Sequence, residues 1–324
     1  MMWLRDIVRR LRTEIDIARA QLAHSDISLF FTFVPPPYGG GNQFLRALWG
    51  EYVRRGYRID NNRISPTTRA CICNAFNFDF DRLRRFARKG CRIVHRVDGP
   101  VGIYRGADDG TDRRIWSMNQ ELADATVFQS RYSLERHEAL GLLFKAPRVI
   151  HNAADPAIFH AEGRQPFSRG RKIRLISTSW SDNPNKGADV YKWLEDRLDW
   201  DRFEHTFVGR TAVPFNRVRV VPPQPSHELA DLLRGHDIFI TASLHESCSN
   251  AIIEALSCGL PVVYASSGGS AEIVRDGGVG FTDREEVPDL LDRLVAEFET
   301  CQSRIAPPRL DEVATQYLAA MGLQ

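Results

Sequence analysis

With 324 residues, the chain has room for two domains at roughly 150 residues each. Its formal net charge of only +2 gives no global field suited to nucleic acid as a main partner, and it lacks the run of about 18 apolar residues that a membrane-crossing helix needs. Six scattered cysteines, without disulfide-framework or zinc-ligand spacing, fit the reduced thiols of a cytoplasmic protein.

In chain order, Met1 to Ala23 places Leu4, Ile7, Val8, Leu11 and Ile15 at helical spacing, with arginines mostly on other faces. No small-residue cleavage site follows, so this is not a secretion signal. Two readings stay open: an amphipathic helix packed on the protein, or a peripheral contact with the anionic inner face of a membrane, Trp3 at the interface. A strand from Ile27 to Val34 then leads through a Pro- and Gly-rich turn into a helix from Gln43 to Arg55. Strands at Ala70 to Ala75 and Arg92 to Val97 flank a basic helix, Leu83 to Lys89. A strand at Ala125 to Gln129, a helix at Tyr132 to Leu140 and a short strand at Pro147 to His151 follow.

Ala161 to Arg171 lacks periodicity and marks a boundary. The alternation restarts with strands at Ile173 to Ser177, Glu204 to Val208, Arg217 to Val221 and Ile238 to Ala242, and its sheet is expected to end near Val262 to Tyr264. Pro307-Pro308 precedes a last helix, Asp311 to Met321, whose parent domain the pattern leaves open. The expectation is an α/β protein of two Rossmann-like domains, 1–163 and 164–306, with parallel sheets and a terminal helical segment, 307–324.

The densest chemistry lies between residues 237 and 263. Glu246 follows the strand Asp237 to Ala242, and Glu254 sits on the helix Asn250 to Ser257, which stops at Gly259-Leu260-Pro261. In an open parallel sheet, ligands bind beyond the carboxyl ends of the strands, where Glu246 falls. The start of the following helix points unpaired amides at the same place, a setting suited to phosphate. Carboxylates beside a phosphate site make sense if they bind hydroxyls, each charge-assisted bond contributing about 1.5–3 kcal/mol. Lys186, in the turn-rich loop Asp182-Asn183-Pro184-Asn185-Lys186-Gly187 after a strand, can reach an anion there. Gly40 and Gly41, at a strand-to-helix junction with Gly39, allow close backbone approach to a ligand but lack the spacing of a dinucleotide fingerprint.

The segment from Ser226-His227-Glu228 through the two glutamates, Cys258-Gly259-Leu260-Pro261-Val262-Val263, Gly268-Gly269 and Glu272-Ile273-Val274 resembles the signature region of retaining family 4 glycosyltransferases of the GT-B fold, the glycosyl transferases group 1. Weaker echoes are Gly39-Gly40-Gly41, Ser130, His151-Asn152-Ala153-Ala154-Asp155 with Phe159, and Asn185-Lys186-Gly187. The resemblance implies two Rossmann-like domains facing across a cleft, and transfer of a hexosyl-type sugar, with retention and without metal, from a UDP- or GDP-linked donor to a glycan or glycolipid hydroxyl. The nucleotide sugar is a co-substrate, and no cofactor is implied. In that scheme Glu254 holds the donor ribose, Glu246 the donor sugar, amides of Ser247, Cys248, Ser249 and Asn250 surround sugar and diphosphate, and Lys186 contacts the diphosphate.

Many members of this family place a His or Asp opposite the donor sugar, at the end of the strand Arg92 to Val97. Asp98 is the expected catalytic counterpart of Glu246 and Lys186, with His95 as the alternative and a structural His95 or an Arg96 to Asp98 pair as the bland readings. Two departures stand out. Ser179-Trp180-Ser181 replaces the family's usual arginine before the lysine, making Arg210 a candidate substitute, and Ser247-Cys248-Ser249 replaces an aromatic-Gly pair. A catalytically silent nucleotide-sugar-binding protein is therefore the alternative function. Asp79-Phe80-Asp81, which resembles the metal-binding pair of the other glycosyltransferase fold class, is read as a helix cap.

Overall fold

The computed structural model describes residues 23–35, 40–87 and 90–323. The amphipathic stretch before residue 23, Gly39 and the basic pair Arg88 and Lys89 lie outside the described residues.

The first half builds β1 (Ile27–Phe30), α1 (Gly40–Arg54), β2 (Ile59–Asn61), β3 (Ala70–Asn74), α2 (Phe80–Phe86), β4 (Arg92–Val97), α3 (Val101–Arg105), α4 (Thr111–Leu122), β5 (Ala125–Phe128), α5 (Arg131–Ala139) and β6 (Pro147–Val149). The second builds β7 (Ile173–Ser179), α6 (Ala188–Glu195), β8 (Phe203–Gly209), β9 (Arg219–Val221), α7 (Ser226–Arg234), β10 (Ile238–Thr241), α8 (Asn250–Ser257), β11 (Val262–Ala265), α9 (Ser270–Val274), β12 (Gly278–Phe281), α10 (Val287–Ala296), α11 (Phe298–Ser303) and α12 (Leu310–Ala320). Strands such as β1, β3, β5 and β10 are buried along their whole length. Helices on both sheet faces demand such continuous apolar runs.

Both sheets are six-stranded and parallel, ordered β2-β1-β3-β4-β5-β6 and β12-β11-β10-β7-β8-β9. Each order reverses direction once, between β1 and β3 in the first sheet and between β7 and β10 in the second. At such a reversal the following loops diverge to opposite faces and open a crevice beyond the strand ends, so the topology fixes where a ligand can enter.

Several elements differ from expectation. The second sheet does not end at β11: β12 adds a further strand through Val262↔Gly278 to Ala265↔Phe281. Its Gly278-Val279-Gly280-Phe281 sequence is too glycine-rich to signal a strand, and only pairing along β11 makes it one. The three-residue β2 and the polar helix α4 also go beyond what the apolar pattern signals. Asp79 does cap α2, its Oδ1 accepting from Arg82 N–H at 2.9 Å, and Asp81 pairs with Arg84. Among the described residues no three His, Cys, Asp or Glu side chains gather in a way that could hold a metal ion, and no helix is long and apolar enough to cross a membrane. No disulfide joins any of the six cysteines.

The last helix, α12, packs on the first sheet. Val313, Ala314, Tyr317 and Leu318 join the core of Phe44, Leu48 and Tyr52 from α1, with the Phe44 and Tyr317 rings 5.9 Å apart. Arg55 donates to Asp311 O at 2.6 Å and Arg92 to Ala320 O at 2.8 Å. The chain thus crosses back to its first half after completing the second.

Candidate active site

The crevices of the two sheets face one another and merge into one cleft of about 550 Å³. In the second half, β7 and β10 flank the direction reversal, and their loops supply Lys186 and Glu246. Gly187 permits this. Its φ is +72°, and a side chain there would sit 2.5 Å from Ala242 at the end of β10, so the lysine loop lies flat on the neighbouring strand end. Leu244 N–H donates to Asn185 O at 2.7 Å and ties the two loops together.

Glu246 is held equally firmly. His245 before it sits at φ +58°, an uncommon left-handed conformation for a residue with a side chain. Gly268-Gly269 packs against the carboxylate's own backbone: a side chain at Gly268 would fall 2.2 Å from Glu246 O, and Gly269 N–H donates to that oxygen at 2.8 Å. The glycine pair in the sequence is thus the floor of the Glu246 loop.

Glu246 accepts a close hydrogen bond from the Lys186 ammonium. Burial would lower the lysine's pKa, yet the Glu246 carboxylate and then Tyr104, whose ring lies 5.8 Å away, outweigh it and hold the ammonium above its usual range. Glu254, one turn into α8, lines the same cleft. No group among the described residues hydrogen-bonds its carboxyl, and burial alone pushes its pKa up to about 8. A half-buried carboxyl with open acceptor positions is built to receive donors from a ligand.

Ser247, Cys248, Ser249 and Asn250, the first four of the seven residues between them, are divided in use. Ser249 caps α8, its Oγ accepting from Ile252 N–H. Ser247 Oγ accepts from Gly99 N–H at 2.5 Å, Cys248 Sγ from Asn152 N–H at 3.3 Å, and Asn250 Oδ1 from Asn152 Nδ2 at 3.0 Å, all across the cleft. Burial lifts the Cys248 thiol to about 12, so it is a neutral contact and not a nucleophile. What this stretch offers a ligand is its backbone: the Asn250 and Ala251 amides, at the positive end of α8, face the cleft with no partner among the described residues.

In the first half, Asp98 lines the cleft just past β4, and His95 does not. His95 Nε2 donates to Ala75 O at 2.8 Å and Nδ1 accepts from Asn119 at 3.3 Å; burial lowers its pKa to about 4, so it is a neutral core residue. Arg96 does pair with Asp98, at 3.2 Å. Gly40 and Gly41 open α1 at the cleft edge, and a side chain at Gly40 would strike the Asn250 amide. Arg210 follows β8, one strand away from the reversal, and lines a depression that adjoins the main cleft at Trp180 and Ser181. Arg105 borders both spaces.

Residues 202–297 match the family model described as Glycosyl transferases group 1. Most of the second half is thus similar to the group 1 glycosyltransferases. Among curated relatives, a D-inositol 3-phosphate glycosyltransferase of Streptosporangium roseum is 40% identical over 81 residues, 25% of this chain and 19% of that one. Another from Stackebrandtia nassauensis is 30% identical over 147 residues, 44% of this chain and 30% of that one. The match thus spans less than a third of either relative. Anabaena HepE in complex with UDP superposes with a TM-score of 0.68 at 14% identity, over 92% of this chain and 100% of that one. Sucrose-phosphate synthase from Thermosynechococcus elongatus gives 0.66 at 14%, over 93% and 95%. The fold is GT-B; Glu246 and Glu254 fall within the residues that match the group 1 model, and Lys186 precedes them.

Arg96 and Tyr104, which line the cleft, and Glu272, at the contact between the two halves, are given no binding or catalytic role by the sequence pattern. Arg96 is 1% exposed at the end of an apolar strand; a lone arginine inside such a run is the one signal of it. Tyr104, on α3, has none. Glu272 belongs to the motif without a stated function. Its carboxylate accepts from the Arg131 and Tyr132 amides at the start of α5, at 2.8 and 2.9 Å, with His151 Nε2 at 3.2 Å. The second half thereby caps a helix of the first.

Proposed function

We propose that the protein is a glycosyltransferase that moves a hexosyl-type sugar from a UDP- or GDP-linked donor to a hydroxyl of a glycan or glycolipid acceptor, with retention of configuration and without a metal. The observation that carries this reading is the convergence of Lys186, Glu246, Glu254 and the amino end of α8 at the reversal point of the second sheet, opposite Asp98. The group 1 match and the UDP held by a protein of the same fold support it.

The chemical demand is to stabilise a departing diphosphate while the sugar becomes cationic. Lys186 and the Asn250 and Ala251 amides supply fixed positive charge where negative charge develops. Glu246, the partner of Lys186 in the empty cleft, exchanges that ammonium for sugar hydroxyls once diphosphate takes the lysine. Glu254 meets the ribose hydroxyls. Asp98 faces the sugar from the first domain, and the donor phosphate takes part in removing the acceptor proton. Six cysteines outside any disulfide support a reducing, cytoplasmic setting.

A panel of uridine, guanosine and adenosine diphosphate sugars tests this by thermal shift and by release of free nucleotide with acceptor extract. Stabilisation by one donor, with turnover, is expected. The second reading, a silent nucleotide-sugar-binding protein, is favoured by Arg210 lying outside the cleft that lacks the family arginine; stabilisation without turnover in any extract would establish it.

A further inference from the structure

Arg96 is fully buried at the floor of the cleft, where its N–H groups need acceptors; Nε–H has none, and the two terminal nitrogens carry its bonds. Nη1 donates to Asn74 Oδ1 and, at 3.2 Å, to Asp98; Nη2 donates to Asn152 Oδ1 at 2.7 Å. A guanidinium accepts nothing, so Asn152 must turn its oxygen toward it. The amide nitrogen of Asn152 then points the other way with two protons to give, and both are used: Gln129 Oε1 at 2.9 Å and Asn250 Oδ1 at 3.0 Å. Asn152 is 1% exposed, which leaves no water to substitute for either bond.

Asn250 is the first residue of α8, one turn before Glu254. The Asn152 backbone crosses at the same point, its N–H donating to Cys248 Sγ. The bonds therefore form one directed chain from Asp98 through Arg96 and Asn152 to Asn250. One end is the carboxylate of the first domain that faces the sugar, and the other is the helix of the second domain that meets the donor. Separating the domains breaks the last link, and water must then take the Asn152 amide proton that made it.

We infer that Asn152 is a positioning residue that makes the aim of Asp98 depend on domain closure, by joining the arginine that holds Asp98 to the donor-binding helix. This rests on the transfer reaction proposed above. Asn152 touches no reacting atom; it acts through Arg96.

The test uses the full chain as wild type, Asn152→Ala, Asn250→Ala, Asp98→Asn and the double variant Asp98→Asn/Asn152→Ala. Turnover is normalised to sites titrated with UDP or GDP, which removes any unfolded fraction. Asn152→Ala should lower kcat by about tenfold or more while nucleotide Kd stays within about threefold, the split expected of a group that serves the reacting state rather than binding. The double variant should be no slower than Asp98→Asn alone, because two members of one chain do not lose independently. Asn250→Ala, which cuts the chain from its accessible end, should lower kcat in the same direction, and it carries the cycle with Asp98→Asn if Asn152→Ala does not fold. A kcat within about twofold of wild type, or losses that multiply in the double variant, overturns the inference. Wild type that binds no nucleotide sugar would instead overturn the functional reading and this inference with it.

Discussion

The two walls of the cleft solve different problems with different residues. The wall from the second domain is built from the loops after two adjacent strands, β7 and β10, and it carries a lysine, two carboxylates and a helix end within reach of one another. The wall from the first domain is a buried lattice of asparagines, a glutamine and one arginine behind Asp98. Charge that must meet a ligand can be set by a strand end and a following helix, which are local devices. Orientation across a domain boundary needs groups from distant parts of the chain, each fixing the next.

The sharpest way to break this contrast is Lys186→Ala. Removing a preorganised cation from the leaving-group side should lower nucleotide release by about 10²–10³-fold, measured as steady-state donor turnover. A loss smaller than that of Asp98→Asn would move the main charge stabilisation to the other wall.

Next in size is Glu254→Gln. It should weaken nucleotide affinity by about tenfold, the equivalent of one charge-assisted hydrogen bond, read by calorimetric titration. The same variant has a pH signature in the empty protein. Burial holds the Glu254 carboxyl at about 8, above the 4.5 of an unperturbed glutamate. Its contribution to stability is therefore complete below 4.5 and lost as pH rises through about 8. Glutamine mimics the protonated form at every pH, so the variant's melting temperature should gain on wild type between about pH 5 and 8.5. Parallel melting curves at both pH values would remove the isolated carboxyl from the account.

Glu272→Ala probes the join between the walls. Loss of the cap on α5 should cost about 1–2 kcal/mol, seen as a lower melting temperature and a larger radius of gyration by X-ray scattering. Burial opposes ionisation of Glu272, but the His151 contact and the Tyr132 and Arg131 amides prevail and hold its pKa below the usual glutamate value. The cap's contribution is present above that usual value and disappears as pH falls through the lower folded one. The smallest effect is expected for Arg210→Ala: donor affinity within about twofold of wild type, because Arg210 lies outside the main cleft. A tenfold loss would extend the second wall to include it.

The second wall is the legible one. Glu246, Glu254 and Lys186 follow or open regular elements with clear periodicity, and the glycines that seat them signal tight backbone turns by residue type alone. The first wall is legible only in part. Alternation along β4 puts Arg96 and Asp98 on one face, but it cannot say that His95 is sealed between Ala75 and Asn119. Arg96, Asn152 and Asn250 are distant in sequence, and only the return of the chain across the cleft makes them neighbours. β12 escapes for a related reason, since its glycines carry no strand signal and its partner strand supplies the order.

The described cations that line the cleft each have an anion already: Lys186 with Glu246, Arg96 with Asp98, and Arg105 with Asp109. These pairs leave little net field at a distance, and an anion approaching through salt solution feels little pull until it is near contact. Capture should then depend only weakly on ionic strength, with selectivity exercised at dissociation rather than arrival. Stopped-flow association rates of a fluorescent nucleotide across a salt series would read this directly, and a steep fall with salt would show a field that these three pairs do not predict.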